Sequence, residues 1–243
     1  IKAIRNRIFW NFCQKDITDR IGCSEAAGAF LFGKKPYTVL KNAICCEEYA
    51  YDESVRKKIR SQQQAEEKLV VGNVGRFSQQ KNQGYLVEVF ASIQKKQKNS
   101  VLWLVGDGEL RPQLEEKVKE LGLISSVKFF GMVDNTTELY QAMDVLVMPS
   151  LFEGLPMTGV EAQACGLPCV FADTITREVD VMGNPFLSLE KDPKEWAVAA
   201  IDAAERYEKA GEKRRSFDKE LAEHGFDIHV EAGRLEEMYE GMK

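Results

Sequence analysis

The sequence predicts an α/β protein built on a doubly wound, parallel, six-stranded Rossmann-like sheet. From about Lys68 onward, short runs rich in β-branched residues alternate with longer amphipathic stretches. Several of the short runs are almost continuously apolar, which is typical of strands that helices cover on both faces. Strict alternation of strand and helix requires right-handed crossovers, and hence a parallel sheet. Such sheets bind ligands at the carboxyl ends of their strands.

The elements of this sheet follow one another along the chain. The predicted strands cover residues 69–74, 101–105, 127–130, 145–148, 168–171 and 185–187. The helices predicted between them cover residues 82–97, 109–121, 135–142 and 158–165, and the second of these carries one apolar stripe. After the last strand, residues 193–208, 212–223 and 228–240 are predicted helices, with Gly225 as a stop before the last one.

The first part of the chain reads differently. Residues 1–13 are predicted to form an amphipathic helix, and residues 17–23 and 37–41 two strands with a short Ser24-capped helix between them. Residues 47–65 are polar and predict a helix or a linker. Because two strands and two helices cannot make a domain alone, we expect an upstream part of the protein to complete another sheet.

Composition excludes several classes of protein. Of 243 residues, 44% are hydrophobic and 29% charged, as in ordinary soluble domains. The net charge of −5 argues against a dedicated nucleic-acid or anionic-membrane binder. No apolar run approaches the roughly 18 residues of a membrane span. The 6 cysteines are interpreted as reduced core residues, and the 2 histidines disfavour a metal site or a Ser-His-Asp or Cys-His hydrolase.

The strongest local motif is the segment from Glu153 to Glu161, directly after the strand 145–148. Pro156 cannot lie inside a helix, so we predict a helix that starts after it with Thr158 as N-cap and Glu161 completing a capping box. A second interpretation is compatible with the first. Gly154 and Gly159 would then let backbone N–H groups reach a phosphate, and Glu161 would bind neutral hydroxyls such as a ribose diol.

A second candidate follows the first strand of the sheet. Gly75 provides a turn, and Arg76 and Lys81 place two cations around a helix start, where both could hold a phosphate. The segment is neither the dinucleotide fingerprint G-x-G-x-x-G nor a P-loop. Two solvated surface cations would explain the same pattern without a ligand.

Other strand ends carry weaker signals of the same kind. Glycine or polar residues occur at 106–109, 130–132 and 173–178, and Trp103 and Trp196 are predicted to serve packing. Because the carboxyl ends of parallel strands share one edge of the sheet, these segments together predict a ligand site there.

Four segments together resemble a known family: GRFSQQKN, VGDGEL, VKFFGMV and DVLVMPSLFEGLPMTGVEAQACGLPCVF. They are similar to the carboxyl-terminal half of GT-B-fold, retaining glycosyltransferases of family 4, whose E-x(7)-E element ends here in Gly-Leu-Pro. The form EGLP, with ADTIT after the next strand, is similar to bacterial capsule and exopolysaccharide transferases.

The resemblance implies roles for individual residues. Arg76 and Lys81 would hold the donor diphosphate and offset charge on the leaving group, Glu161 would bind the ribose hydroxyls, and Glu153 would lie near the donor sugar. Gly75 would give the diphosphate room. The resemblance also implies donor contacts by two backbone segments: Gly154, Met157, Thr158 and Gly159 at the diphosphate or sugar, and Phe130, Gly131 and Met132 at the base.

The resemblance further implies how the chain is organised. Residues 1–50 would be the tail end of the acceptor domain and the interdomain connection, although Ala43 stands where relatives usually have glycine. Residues 51–225 would be the nucleotide-sugar-binding domain, and residues 226–243 a helix that crosses back to the first domain. The missing N-terminal domain is therefore an expected partner.

The implied reaction moves a sugar from a nucleotide diphosphate sugar, with uridine as the expected nucleoside, to a saccharide or lipid-linked acceptor with retained configuration. No metal and no other cofactor is expected. The protein would be cytoplasmic, at the inner face of the membrane, with peripheral membrane contact through its N-terminal domain and none with nucleic acid. This chain alone is expected to bind donor but to transfer little sugar.

Alternative functions remain on the same scaffold. One is a non-catalytic nucleotide-binding or interaction module, against which the presence of Arg76, Lys81 and Glu161 together speaks. A nucleotide-sugar epimerase would form product without an acceptor. The absent G-x-G-x-x-G disfavours a dehydrogenase linked to NAD.

Overall fold

The structure, a computed structural model, describes residues 19–241, so the helix predicted over 1–13 lies outside the described residues. Contacts divide the chain into two units, Ile1–Lys41 and Asn42–Lys243. In the first unit, β1 (Ile21–Gly22) pairs in parallel with β2 (Thr38–Val39), and α1 (Glu25–Phe32) connects them. The Ser24 side chain accepts a hydrogen bond from the Ala27 N–H, which confirms it as the N-cap.

The second unit contains the predicted sheet. Its six strands are all parallel and lie in the order β5-β4-β3-β6-β7-β8, which confirms the doubly wound fold class. The strands are β3 (Leu69–Val74), β4 (Ser100–Val105), β5 (Val127–Gly131), β6 (Val145–Met148), β7 (Cys169–Ala172) and β8 (Phe186–Leu187).

Helices cover both faces of this sheet, as the apolar strands predicted. They are α2 (Glu53–Gln62), α3 (Gln83–Lys96), α4 (Arg111–Glu120), α5 (Thr137–Ala142), α6 (Met157–Ala164), α7 (Pro193–Ala204), α8 (Arg206–Ala210), α9 (Asp218–Glu223) and α10 (Ile228–Gly241). Helix α3 packs against α4 and α7, α2 packs against α5, and α6 contacts α9. Trp103 and Trp196 are buried in the core, as predicted.

Two helical predictions after the last strand need correction. The helix predicted over 193–208 breaks at Glu205, which caps the C-terminus of α7 and precedes α8. The helix predicted over 212–223 begins only at Asp218. Its first residues are held out of a helix because the Phe217 N–H donates to Ala164 O and the Arg214 side chain reaches backbone carbonyls at the ends of α5 and α6.

The strand order fixes where a ligand crevice opens. The chain leaves β3 toward β4 on one side and later returns to place β6 on its other side. The carboxyl ends of β3 and β6 therefore form the topological switch point, where doubly wound sheets bind their ligands. No helix within residues 19–241 combines the length and apolarity that crossing a bilayer requires.

Candidate functional site

The floor of the candidate site is made of backbone. The Gly75 N–H donates to Val105 O at 2.9 Å, and the Phe77 N–H donates to Asp107 O at 2.9 Å. Backbone hydrogen bonds therefore continue to join the two chain segments beyond the ends of β3 and β4. Gly106 has φ +128°, and a Cβ there would lie 2.2 Å from the Gly75 carbonyl oxygen. Only glycine fits such a close backbone approach, which leaves the strand ends open to a ligand.

A cavity of about 320 Å³ lies over this floor. It opens between the ends of β3 and β4 and the loop after β5, and its lining is mostly apolar. Three predicted donor-binding residues, Gly75, Arg76 and Met132, are among its walls. The Phe130 ring lies elsewhere and packs on Trp103 with ring centroids 5.2 Å apart. The lining residues are Val74, Gly75, Arg76, Val105, Gly106, Asp107, Met132, Val133 and Thr136.

Arg76 projects from this wall with most of its side chain in solvent. Its guanidinium donates two hydrogen bonds to Glu109 Oε2, at 3.2 and 3.0 Å. Both side chains of this ion pair are exposed to solvent. Its backbone is held more firmly, because Gln83 Nε2 donates to the Arg76 carbonyl and to Asn73 Oδ1. Asn73 in turn donates to Val147 O across the switch point. The backbone is thus fixed, while the cationic group can change partners.

Lys81 and Glu153 meet at the switch point. Lys81 packs over Gly75, since a Cβ there would lie 3.3 Å from Lys81 Cε. Its ammonium lies 2.7 Å from Glu153 Oε1, and the two side chains are only 18% and 8% exposed. That oxygen is buried and accepts no well-directed hydrogen bond among the described residues, so the attraction is chiefly Coulombic. Gln80 Nε2 adds a long contact of 3.4 Å to the other carboxylate oxygen.

The start of α6 differs from its prediction. The N-cap is Pro156, not Thr158, because the helix already begins at Met157. Thr158 therefore lies inside the first turn, and the predicted capping box with Glu161 is wrong. The Gly159 N–H donates to Pro156 O, and a Cβ at Gly159 would press on Phe171 at 3.0 Å, so this glycine serves helix packing. Gly154 has open space around it.

Glu161 instead accepts a hydrogen bond from a residue that was not among the predicted site residues. The Tyr140 hydroxyl donates to Glu161 Oε2 at 2.7 Å, from the neighbouring helix α5. Burial raises the pKa of Glu161 above its ordinary value, and the Tyr140 hydrogen bond lowers it in part. The phenol itself is fully buried, and its pKa is raised well above the ordinary value by burial and by the Glu161 charge.

Three arginines hold the C-terminal end of α5 in place. Arg214 donates to the carbonyls of Tyr140 at 2.9 Å and Met143 at 2.9 Å, and Arg60 to Ala142 O at 2.9 Å. Arg56 also donates to Met143 O. Cations at a helix C-terminus satisfy its open carbonyls and complement its dipole. These side chains fix α5, and with it Tyr140.

The carboxylate of Asp144 completes this cluster. It pairs with Arg56 and Arg60 and accepts a hydrogen bond from the Val70 N–H at 2.7 Å, so it joins the start of β6 to β3. Such an acidic residue directly before an apolar strand is the one sequence signal that could have indicated this network.

The structure thus brings the predicted residues together in three groups. Gly75, Arg76 and Met132 share the cavity, Lys81 pairs with Glu153, and Glu161 is bound to Tyr140. Within residues 19–241, no hydrogen bond or ion pair joins Glu161 to either predicted cation. The donor roles of these residues, of the segment 154–159 and of Phe130 and Gly131 stay predictions.

Sequence comparison identifies relatives of this chain. Residues 68–206 match the family described as glycosyl transferases group 1. The chain is 36% identical over 241 residues to the glycosyltransferase candidate EpsF of Bacillus subtilis (strain 168), a match that covers 96% of the chain and 62% of EpsF. It is also 36% identical over 103 residues, 41% of the chain and 27% of the relative, to the Escherichia coli UDP-Gal:α-D-GlcNAc-diphosphoundecaprenol α-1,3-galactosyltransferase. The chain therefore spans less than two thirds of these relatives.

Structure comparison agrees on the fold. Anabaena HepE, solved in complex with UDP-glucose, superposes with a TM-score of 0.82 at 25% identity, over 97% of this chain and 67% of HepE. WaaG, a glycosyltransferase of lipopolysaccharide biosynthesis, superposes with a TM-score of 0.70 at 19% identity, over 87% and 59%.

Proposed function

We propose that this chain, which belongs to the group 1 glycosyltransferase family, is the donor-binding part of an enzyme that transfers a sugar from a UDP-sugar. The observation that carries the proposal is the arrangement at the switch point. Lys81 lies over the side-chain-free backbone of Gly75 and beside Glu153, next to the cavity lined by Arg76 and Met132. A cation over an open glycine floor is suited to a diphosphate, and a largely apolar cavity beside it is suited to a base.

Uridine is the proposed nucleoside because two of the similar proteins are described with it. HepE was solved with UDP-glucose, and the E. coli relative is named for UDP-Gal. The base would lie against Met132. Glu161 would accept hydrogen bonds from the ribose hydroxyls, because a carboxylate is repelled by phosphate but can accept hydrogen bonds from neutral hydroxyl groups. Glu153 would face the sugar, once Lys81 has turned to the phosphate.

The proposed mechanism depends on charge stabilisation. As the bond between the sugar and the diphosphate breaks, its electron pair leaves with the phosphate oxygen, where negative charge grows. Lys81, Arg76 and the free N–H groups at the start of α6 would stabilise that charge without a metal. The acceptor hydroxyl would bond to the anomeric carbon on the same face and pass its proton to the departing phosphate, which retains the configuration, as in family 4.

The acceptor is proposed to be a saccharide or a lipid-linked saccharide in the assembly of a bacterial exopolysaccharide or capsule, in the cytoplasm at the inner membrane face. The undecaprenol-linked substrate in the name of the E. coli relative supports this placement. Residues 1–50 would contribute the end of an acceptor domain, and the upstream part of the protein would supply the rest of that domain. The chain by itself would then bind donor and transfer little sugar.

A thermal-shift titration with UDP, GDP and ADP tests the proposal. At 100 times its Kd, UDP should stabilise the chain by about 2.7 kcal/mol, which corresponds to a rise in Tm of roughly 5–10 °C. GDP and ADP should give smaller shifts. An unchanged Tm with all three nucleotides at millimolar concentration would overturn the proposal.

A further inference from the structure

Tyr140 is the only residue among those described that donates a hydrogen bond to the Glu161 carboxylate. Its ring is fully buried and tilts against the Tyr49 ring, with centroids 6.4 Å apart. Its backbone belongs to the helix end that Arg214 and Arg60 hold. The phenol therefore has one fixed position, and its hydroxyl points at one carboxylate oxygen.

The second oxygen of that carboxylate is left for a ligand. Tyr140 occupies Oε2, at 2.7 Å. Oε1 accepts no hydrogen bond within residues 19–241, and it is not among the buried side-chain atoms that lack a partner, so it reaches solvent. A glutamate has three side-chain torsions, and fixing it in advance spares the ligand that ordering cost.

We propose that Tyr140 is a positioning residue for nucleotide recognition: its hydroxyl fixes Glu161 through Oε2 and presents Oε1 to the ribose hydroxyls. This rests on the proposed function, which assigns Glu161 to the ribose. Tyr140 does not touch the nucleotide. It acts by holding the carboxylate in one orientation and by keeping it ionised.

The ionisation part follows from the surroundings of Glu161. Tyr140 from α5 donates to it, and Tyr49, from the 3-10 helix Cys46–Tyr49, packs against Tyr140 and has its pKa raised in part by the Glu161 charge. The pKa of Tyr49 is raised to about 12, chiefly by burial, and that of Tyr140 is raised too, so both stay neutral and protonated. No charged side chain in the described residues shifts the pKa of Glu161. Removing the Tyr140 hydroxyl should therefore raise that pKa further.

The test compares UDP with 2′,3′-dideoxy-UDP by calorimetric titration of the chain. Both nucleotides carry the same diphosphate, so the effect of diphosphate protonation on binding cancels in the ratio of the two Kd values. In the Tyr140→Phe variant we expect the preference for UDP to fall about three- to tenfold, the range set by losing the preordering of one flexible side chain. As the pH is lowered, the preference for UDP that remains in Tyr140→Phe should disappear at a higher pH than the preference of the unmodified chain does.

Two further variants separate positioning from a general structural effect. Tyr49→Phe removes the hydroxyl of the ring that packs against Tyr140 and that makes no hydrogen bond to Glu161, and should leave the UDP preference unchanged. In a Glu161→Ala background, Tyr140→Phe should have no further effect on the preference, because the two residues act as one unit. If the single phenylalanine variant does not fold, the pH profile of the unmodified chain and Glu161→Ala still decide: a UDP preference that survives in Glu161→Ala overturns the inference, and Tyr140→Trp or Tyr140→His, which also lack the phenol hydroxyl, replace phenylalanine in the cycle.

The outcomes distinguish the inference from the function it rests on. If the unmodified chain binds neither nucleotide, the proposed function fails. If it binds both equally, the ribose role of Glu161 fails, and this inference with it. If it prefers UDP and Tyr140→Phe weakens both nucleotides equally, or changes the preference in the Glu161→Ala background as well, only the positioning role is overturned.

Discussion

The two partners of the Lys81–Glu153 ion pair should respond very differently to removal. At 2.7 Å and an effective dielectric constant of about 20, their attraction is roughly 6 kcal/mol before desolvation is counted. Lys81→Met leaves the Glu153 carboxylate, 8% exposed, without its cation. Breaking a buried pair in this way typically costs about 3–5 kcal/mol, and we expect a loss of that size.

The reverse change should cost less. After Glu153→Gln, the Lys81 ammonium sits on a flexible stem that is already 18% exposed and can turn toward water. The amide oxygen at 153 can still accept a hydrogen bond. We therefore expect a loss of about 1 kcal/mol. The double variant, with neither charge, should be less destabilised than Lys81→Met alone, because no unpaired carboxylate remains.

Urea denaturation of the four proteins measures these differences, provided that the m-values agree. The coupling between the two changes should be more than about 1 kcal/mol, within the range of directly contacting residues. Equal losses in both single variants, or losses that simply add in the double variant, would contradict the reasoning. In the same samples, Glu153→Gln should keep a UDP-dependent rise in Tm, whereas Lys81→Met should lose most of it.

Two further predictions concern the floor of the site and Glu161. Gly106→Ala should cost about 3 kcal/mol or more, since its Cβ would meet the Gly75 oxygen at 2.2 Å, whereas Gly122→Ala, with φ +69° and open space, should cost only about 1 kcal/mol in urea denaturation. Glu161→Gln should stabilise the free chain at neutral pH. Because burial raises the folded-state pKa of Glu161, its ionised form penalises folding above that pKa, and the penalty fades as pH falls through the folded-state pKa and is gone below the unfolded one. The gain in Tm from glutamine should therefore shrink in acid, and a gain that is constant with pH would contradict this.

The sequence was sufficient for the sheet because each strand carries its own signal. Most of the runs are almost continuously apolar, interrupted only by Asn73 in β3 and the exposed Lys128 in β5, and the predicted bounds 69–74 and 145–148 agree with β3 and β6. The helix start at 156–158 was misjudged, because a threonine followed three residues later by glutamate fits a capping box as well as it fits the inside of a first turn. In the structure Pro156 occupies the N-cap position, so the threonine lies inside the first turn.

Side-chain partners could not be predicted in the same way. Tyr140 and Glu161 lie 21 residues apart on different helices, and their contact depends on how α5 is anchored at its C-terminal end. That anchoring uses Arg214, which lies in a segment predicted to be helical but is irregular in the structure, where its side chain reaches these carbonyls. The errors at 212–217 and the missing partner of Glu161 thus have one cause, a long-range contact that no local pattern encodes.

Each charged side chain assigned to the donor already has a partner in the free protein. Arg76 holds Glu109, Lys81 holds Glu153, and Glu161 holds Tyr140. Under the proposed function, nucleotide binding would therefore be an exchange of partners, and its cost would differ from pair to pair. The Arg76 pair is exposed and contributes little, so that arginine can turn to a phosphate easily. Lys81 must leave a buried carboxylate, which then needs another donor. A sugar hydroxyl at Glu153 would supply it, so a nucleotide that carries its sugar should displace Lys81 at lower cost than the bare diphosphate.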